Sequence, residues 1–160
     1  MGLLPPTGAG RASETALGDW YVNRVVVDRQ PLLLLVSALS LLAAVLPARD
    51  VRGLPERLCD VVGERLKRLG VRRILIEAEV RAMPPVTVAP TADRSVVGIM
   101  VDFAKMIPGY LPSLSWDESA LSFVESRLGE NPCHAARSFN QVIFPEQKAT
   151  ELLEARWNAG

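Results

Sequence analysis

Between Gln30 and Ala48 the chain reads QPLLLLVSALSLLAAVLPA, 19 residues without a charge. No other segment constrains the fold so tightly, because such a stretch must either span a bilayer or fill a core. Its length lies near the lower end of the roughly 17–25 residues that a transmembrane helix needs. Its context favours a core. The preceding Val22–Val27 run is β-branched and apolar except at Asn23 and Arg24, and Asp28-Arg29-Gln30-Pro31 follows as a polar turn. Two apolar runs joined by a short turn predict a β-hairpin. Pro31 stands at the start of the second strand, where a missing N–H costs least. Ser37 and Ser40 mark a change of element. Leu39, Leu41, Leu42, Ala43, Val45 and Leu46 then suit a short buried helix stopped by Pro47.

The remaining periodicities predict an α+β arrangement: a single domain whose small antiparallel sheet is built on this N-terminal hairpin and packed with several helices. The clearest helix is Leu54–Leu69, where Leu54, Leu58, Val61, Val62, Leu66 and Leu69 form one apolar stripe. Pro55 suits its first turn and Gly70 its left-handed cap. A second helix is expected over about 72–83, with Leu75, Ile76, Ala78 or Val80 partly buried and Glu77 pairing with Arg81. Val86–Val88, bracketed by prolines, suggests an edge strand. A third helix spans about 94–107, with Val97, Met100, Val101 and Ala104 as its inner face. Ser115 and Glu118 have the spacing of a capping box before a helix that buries Leu121, Val124 and Leu128. Residues 131–140 suit a loop, 142–144 a last short strand and 146–157 a final helix.

Size and charge narrow the functional classes. At 160 residues one domain buries about 68–70% of its unfolded surface. Residues 15–160 are expected to form that domain, behind a flexible tail over 1–14 rich in Pro, Gly and small polar residues. That tail lacks the basic start and apolar stretch of a secretory leader, and Pro6 breaks the myristoylation pattern. Eighteen basic and eighteen acidic residues cancel, leaving no net field to draw in nucleic acid or an anionic membrane. Two cysteines, Cys59 and Cys133, are too few for a disulfide scaffold and suit a reducing cytoplasm.

Two blocks carry a family resemblance. Leu17-Gly18-Asp19-Trp20-Tyr21-Val22-Asn23 with Val27-Asp28-Arg29, and Thr91-Ala92-Asp93-Arg94-Ser95-Val96-Val97-Gly98-Ile99-Met100-Val101-Asp102-Phe103, resemble an uncharacterised bacterial domain family of unknown function. Its pattern is a Trp-containing hairpin followed by an Asn-Arg-Ser-x-x-Gly helix start ending in Asp-Phe. This chain departs from it at Asp93 and Val101, where asparagines are expected. The resemblance covers about 17–153 and implies an occurrence alone or beside plasmid- and transposon-borne proteins.

The strongest local candidate for a ligand site is Thr91, Arg94, Ser95 and Asp102. Arg94 sits among the free N–H groups of a helix start, the ingredients of an anion site. Ser95, Gly98 and Asp102 fall on one helix face; the competing account is a capped helix whose Arg94 pairs with a surface carboxylate. Trp20, Tyr21 and Asn23 are candidates for a partner surface, since strand alternation requires Trp20 or Tyr21 to face outward. Arg65, Lys67, Arg68, Arg72 and Arg73 form a basic turn able to touch phosphates, although Glu64, Glu77 and Glu79 lie nearby. Cys133-His134 holds the one histidine, too little for a zinc site or a cysteine-protease pair. No metal or cofactor motif stands out. The residues therefore favour a non-enzymatic interaction or regulatory module, accessory to a mobile element and acting on another protein or by self-association. Nucleic-acid binding and capture of a small anionic ligand at Arg94 are the alternatives.

Overall fold

The structure, a computed structural model, describes residues 14–111, 117–134 and 142–158. The expected tail over 1–14 thus lies outside the described residues except for Glu14, as does the expected cap Ser115.

The hairpin forms as anticipated. Strands β1 (Trp20–Val27) and β2 (Gln30–Ser37) pair antiparallel from Trp20↔Ser37 to Val27↔Gln30. Asp28 and Arg29 make the turn with φ of 50° and 67°, both left-handed, as a two-residue type I′ turn requires to follow the strand twist. The expected helix after Ser37 is instead a third strand, β3 (Ala43–Pro47), paired antiparallel with β2 from Leu32↔Pro47 to Val36↔Ala43. The buried serine hydroxyls decide the difference. Ser37 Oγ donates to the Leu17 carbonyl at 2.6 Å and accepts the Ser40 N–H at 3.2 Å, while Ser40 Oγ accepts the Leu42 N–H at 3.1 Å. Served this way, the backbone reverses tightly, with Leu41 at φ 64°, where a helix would have needed it to continue.

β2 is therefore the central strand, covered on both faces, and its apolar run need not alternate. Leu33 and Leu35 face one core with Trp20 and Val22; Leu32, Leu34 and Val36 face a second with Tyr21. The first core is closed by α1 (Leu54–Leu69) and α5 (Pro145–Trp157), and the second by α3 (Arg94–Tyr110) and α4 (Glu118–Glu130). A helical layer on either side of a three-stranded antiparallel sheet is the α+β single domain expected. A 3₁₀ segment (Ala48–Gly53) links β3 to α1. The helix α2 (Arg73–Ala82) follows Gly70, whose φ of 91° fits the predicted left-handed cap. Strands β4 (Cys133–His134) and β5 (Val142–Ile143) form a separate two-stranded pair. No helix among the described residues is long and apolar enough to cross a membrane.

Four local expectations are corrected. The proline-bracketed Val86–Val88 segment is irregular rather than a strand, since Pro84, Pro85 and Pro90 remove donors that a ladder needs. On α3 the buried stripe is Val96, Met100, Phe103 and Ile107, whereas Val97 and Val101 are exposed; the bulkier Phe103 and Ile107 bury more apolar area than Ala104 and Val101. The cap of α4 is Asp117, whose Oδ1 accepts the Ala120 N–H at 2.9 Å. On α2, Glu77 pairs with Arg73 at 2.9 Å instead of Arg81.

Candidate functional site

At the start of α3 the expected cap forms. Asp93 Oδ1 accepts the Ser95 N–H at 2.9 Å, and the Asp93 N–H donates to Tyr21 Oη at 2.8 Å. Thr91 and Ser95 are half-buried; Arg94 is exposed and pairs with no carboxylate among the described residues. Gly98 is exposed, and a Cβ placed there would meet nothing within 4 Å. No segment among the described residues therefore makes the close approach that its small size would permit. Asp102 lies seven residues beyond Ser95, about 10 Å along the helix axis, too far to orient Arg94. It lines a different recess, a cleft of about 410 Å³ with Lys105, Asn131 and Cys133. Burial pushes the Cys133 thiol up to about 11, and the negative charge of Asp102 acts in the same direction. A thiol so protonated is a poor nucleophile.

Trp20 and Tyr21 are both buried, at 2% and 3% exposure. Alternation does place their rings on opposite faces, but each face is a core, so neither ring points into solvent. Asn23 is half-buried, and its Oδ1 accepts the Arg24 N–H at 2.9 Å on the outer edge of β1.

The basic turn is dispersed by ion pairing. Arg73 pairs with Glu77, and Arg72 lies 3.9 Å from Glu154. Arg68 grips Glu125 with two bonds, Nε to Oε1 at 2.9 Å and Nη2 to Oε2 at 3.0 Å. Arg65 is only 1% exposed, donating to the Ala43 carbonyl at 2.7 Å and to Glu146 Oε2 at 3.3 Å. Lys67 is exposed and pairs with no carboxylate among the described residues.

The destination of these arginines was not visible in their spacing. They converge on the free edge of β3. Antiparallel alternation turns the N–H and C=O of Ala43, Val45 and Pro47 away from β2. Arg65 donates to the Ala43 carbonyl, and Glu125 Oε2 accepts the Val45 N–H at 2.9 Å. Pro47, next in that phase, has no N–H to offer. A cation from α1 and a carboxylate from α4 thus occupy the positions a fourth strand would fill. Glu125 is 2% exposed and also lies 3.9 Å from Arg65 Nε, so the buried charges compensate each other. Glu146 reaches Arg65 across Gly129, where a Cβ would collide with its side chain.

This clamp forms the back wall of a larger cleft, about 720 Å³, between α1, β3 and α4. Val45, Leu46, Pro47, Val61 and Leu121 supply an apolar floor, and Arg49, Arg57, Asp60, Glu64 and Asp117 a rim of both signs. Arg57, Asp60, Glu64 and Arg68 are at helical spacing, one ridge of α1. The signal for it in the sequence is that ridge of mixed charge beside the α1 stripe. Among the described residues no group of three or more His, Cys, Asp or Glu is arranged to hold a metal ion.

A second acidic side chain is engaged internally. Glu79, fully buried, accepts the N–H groups of Ala16 at 2.7 Å and Leu17 at 3.1 Å and the indole Nε1–H of Trp157 at 2.8 Å. It fastens the segment before β1 to α2 and α5.

Neither the curated proteins nor the solved structures provide a match to this chain. One family model does match, over residues 2–148, and covers both blocks on which the resemblance rests. With its two-core sheet, its clamped strand edge and its mixed-charge cleft, this chain belongs to the family described as Domain of unknown function (DUF6933).

Proposed function

We propose that this domain is a non-enzymatic interaction or regulatory module of the bacterial cytoplasm, accessory to a mobile element, and that it engages another protein or a second copy of itself through the cleft between α1 and α4. The observation that carries this reading is the pairing of an apolar floor with a rim of opposite charges on a rigid base. Apolar contacts supply affinity, and a rim of both signs sets register and rejects partners of the wrong charge order. The Arg65–Arg68–Glu125 clamp holds the floor in place, so little ordering cost falls on binding.

Charge reversal on the rim tests it. The wild type and an Asp60→Arg/Glu64→Arg variant are compared by light scattering for self-association and by proximity labelling in the native host for partners. Self-association or a reproducible partner, present for the wild type and lost for the variant at unchanged melting temperature, supports the reading. Identical association states and identical labelled sets for both proteins refute it.

A second reading, capture of a small anion at the start of α3, is favoured by the exposed Arg94, which lies beside a helix N-terminus and pairs with no carboxylate among the described residues. Phosphate should then raise the melting temperature of the wild type but not of Arg94→Ala. Equal responses count against it.

A further inference from the structure

On the side of α4 facing away from the cleft, Arg127 lies over two aromatic rings, its Cζ 5.7 Å from the Tyr110 centroid and 5.8 Å from that of Phe123. Helical spacing sets Phe123 and Arg127 one turn apart, with Phe123 nearly half a revolution from Leu121 and Glu125 and about 100° from Ser122, so neither side chain lines the cleft. Phe123 is 52% exposed, a large area for an aromatic ring. Arg127 makes no ion pair or hydrogen bond among the described residues. At these distances the guanidinium is attracted to both rings, while its N–H groups, without a hydrogen bond among the described residues, are available to a bidentate carboxylate.

We infer that Tyr110, Phe123 and Arg127 form a docking surface for a partner protein segment that presents one carboxylate beside an apolar side chain. The guanidinium takes the carboxylate and the exposed face of Phe123 takes the apolar neighbour. Arginine with an aromatic residue is the pairing that most often dominates interface energetics. Glu130, three residues beyond Arg127 on the same side of the helix, repels additional negative charge. The complementary segment therefore carries a single acid rather than an acidic tract, and a nucleic acid backbone is disfavoured.

The test is a titration of the full ¹⁵N-labelled chain with two soluble peptides, one centred on Leu-Asp-Phe and one on Leu-Asn-Phe, both in Gly-Ser flanks. The Asp peptide should shift the amides around Tyr110, Phe123 and Arg127, with binding weakened about tenfold in Arg127→Ala, the loss typical of a truncated interface anchor. Phe123→Ala should weaken it similarly. Arg127→Lys, which keeps the charge but loses the planar fork, should also bind less tightly than wild type. Both side chains are exposed, and retained amide spectra in the variants establish that the fold is intact. No shift with the Asp peptide overturns the inference. So does equal binding of the Asn peptide, an unchanged affinity in Arg127→Ala, or shifts confined to the α1–α4 cleft.

Discussion

Removing Glu125 should cost this fold more than removing any exposed acid, and the structure says how the loss divides. Glu125 accepts the Val45 N–H and two bonds from Arg68, and its carboxylate faces Arg65 at 3.9 Å. Glu125→Leu leaves Arg65 buried with less compensation and the Val45 N–H without its acceptor. Deleting one partner of a buried ion pair costs about 3–5 kcal/mol, and Arg65→Leu should cost a similar amount for the converse reason. In the double variant Arg65→Leu/Glu125→Leu the uncompensated charge is gone. What remains is the desolvation of two orphaned backbone groups, the Ala43 carbonyl and the Val45 N–H, at about 1–3 kcal/mol each. The double variant should therefore lose about as much as either single variant rather than their sum. Urea unfolding followed by tryptophan fluorescence, which draws on the buried Trp20, gives all three values. A double-variant loss equal to the sum of the single losses would show that the two residues act independently, and would remove the basis for treating them as one edge clamp.

Three further outcomes follow from the same contacts. Gly129→Ala should destabilise by about 1–3 kcal/mol on thermal or urea unfolding through overpacking, despite alanine's better helix propensity, because its Cβ displaces Glu146 from Arg65; a gain in stability would contradict this. Ser37→Ala should cost about 1–3 kcal/mol in the same assay, since it leaves the buried Ser40 N–H without its acceptor and the Leu17 carbonyl with the Leu39 N–H alone, whereas an exposed control such as Glu56→Ala stays within about 0.5 kcal/mol. For Cys133, whose folded thiol is raised from the ordinary value of 9.0 to about 11, the unfolded chain ionises first. Its contribution to stability is fully present below pH 9 and declines as pH rises toward about 11; Cys133→Ala should flatten that part of the pH–stability profile, and an identical profile in both proteins would refute the assignment.

The legible parts of this fold were those with a local mechanism. The α1 stripe from Leu54 to Leu66, the proline at its start and Gly70 at its end all act within a turn or two of themselves, and the helix emerged with the predicted bounds. The hairpin was equally local. The strand β3 was not, because Leu39–Leu46 satisfies helix and strand patterns alike, and the choice rests on Ser37 reaching the Leu17 carbonyl twenty residues away. Alternation alone requires Trp20 or Tyr21 to face outward, and it does not disclose that both faces of the sheet are covered. The candidate site suffered most from distance. Asp93, Ser95 and the start of α3 could be read from neighbours in sequence, but Asp102 belongs to a different cleft. Arg68 and Arg72 of the basic turn are also committed to carboxylates on other helices, Glu125 and Glu154. No spacing within the turn reveals that commitment.

The clamp on β3 also has a temporal side. Ala43 and Val45 leave the ribosome with the rest of the sheet, and Arg65 follows within two dozen residues, but Glu125 is 80 residues behind the N–H it accepts. Until it arrives, the nascent chain carries a three-stranded sheet with an unfinished β3 edge and a second apolar face covered by α3 alone, a surface on which strands of neighbouring chains pair. The order of synthesis therefore makes α4 the element that ends this exposure, and any truncation before it should yield a chain prone to join its copies edge to edge.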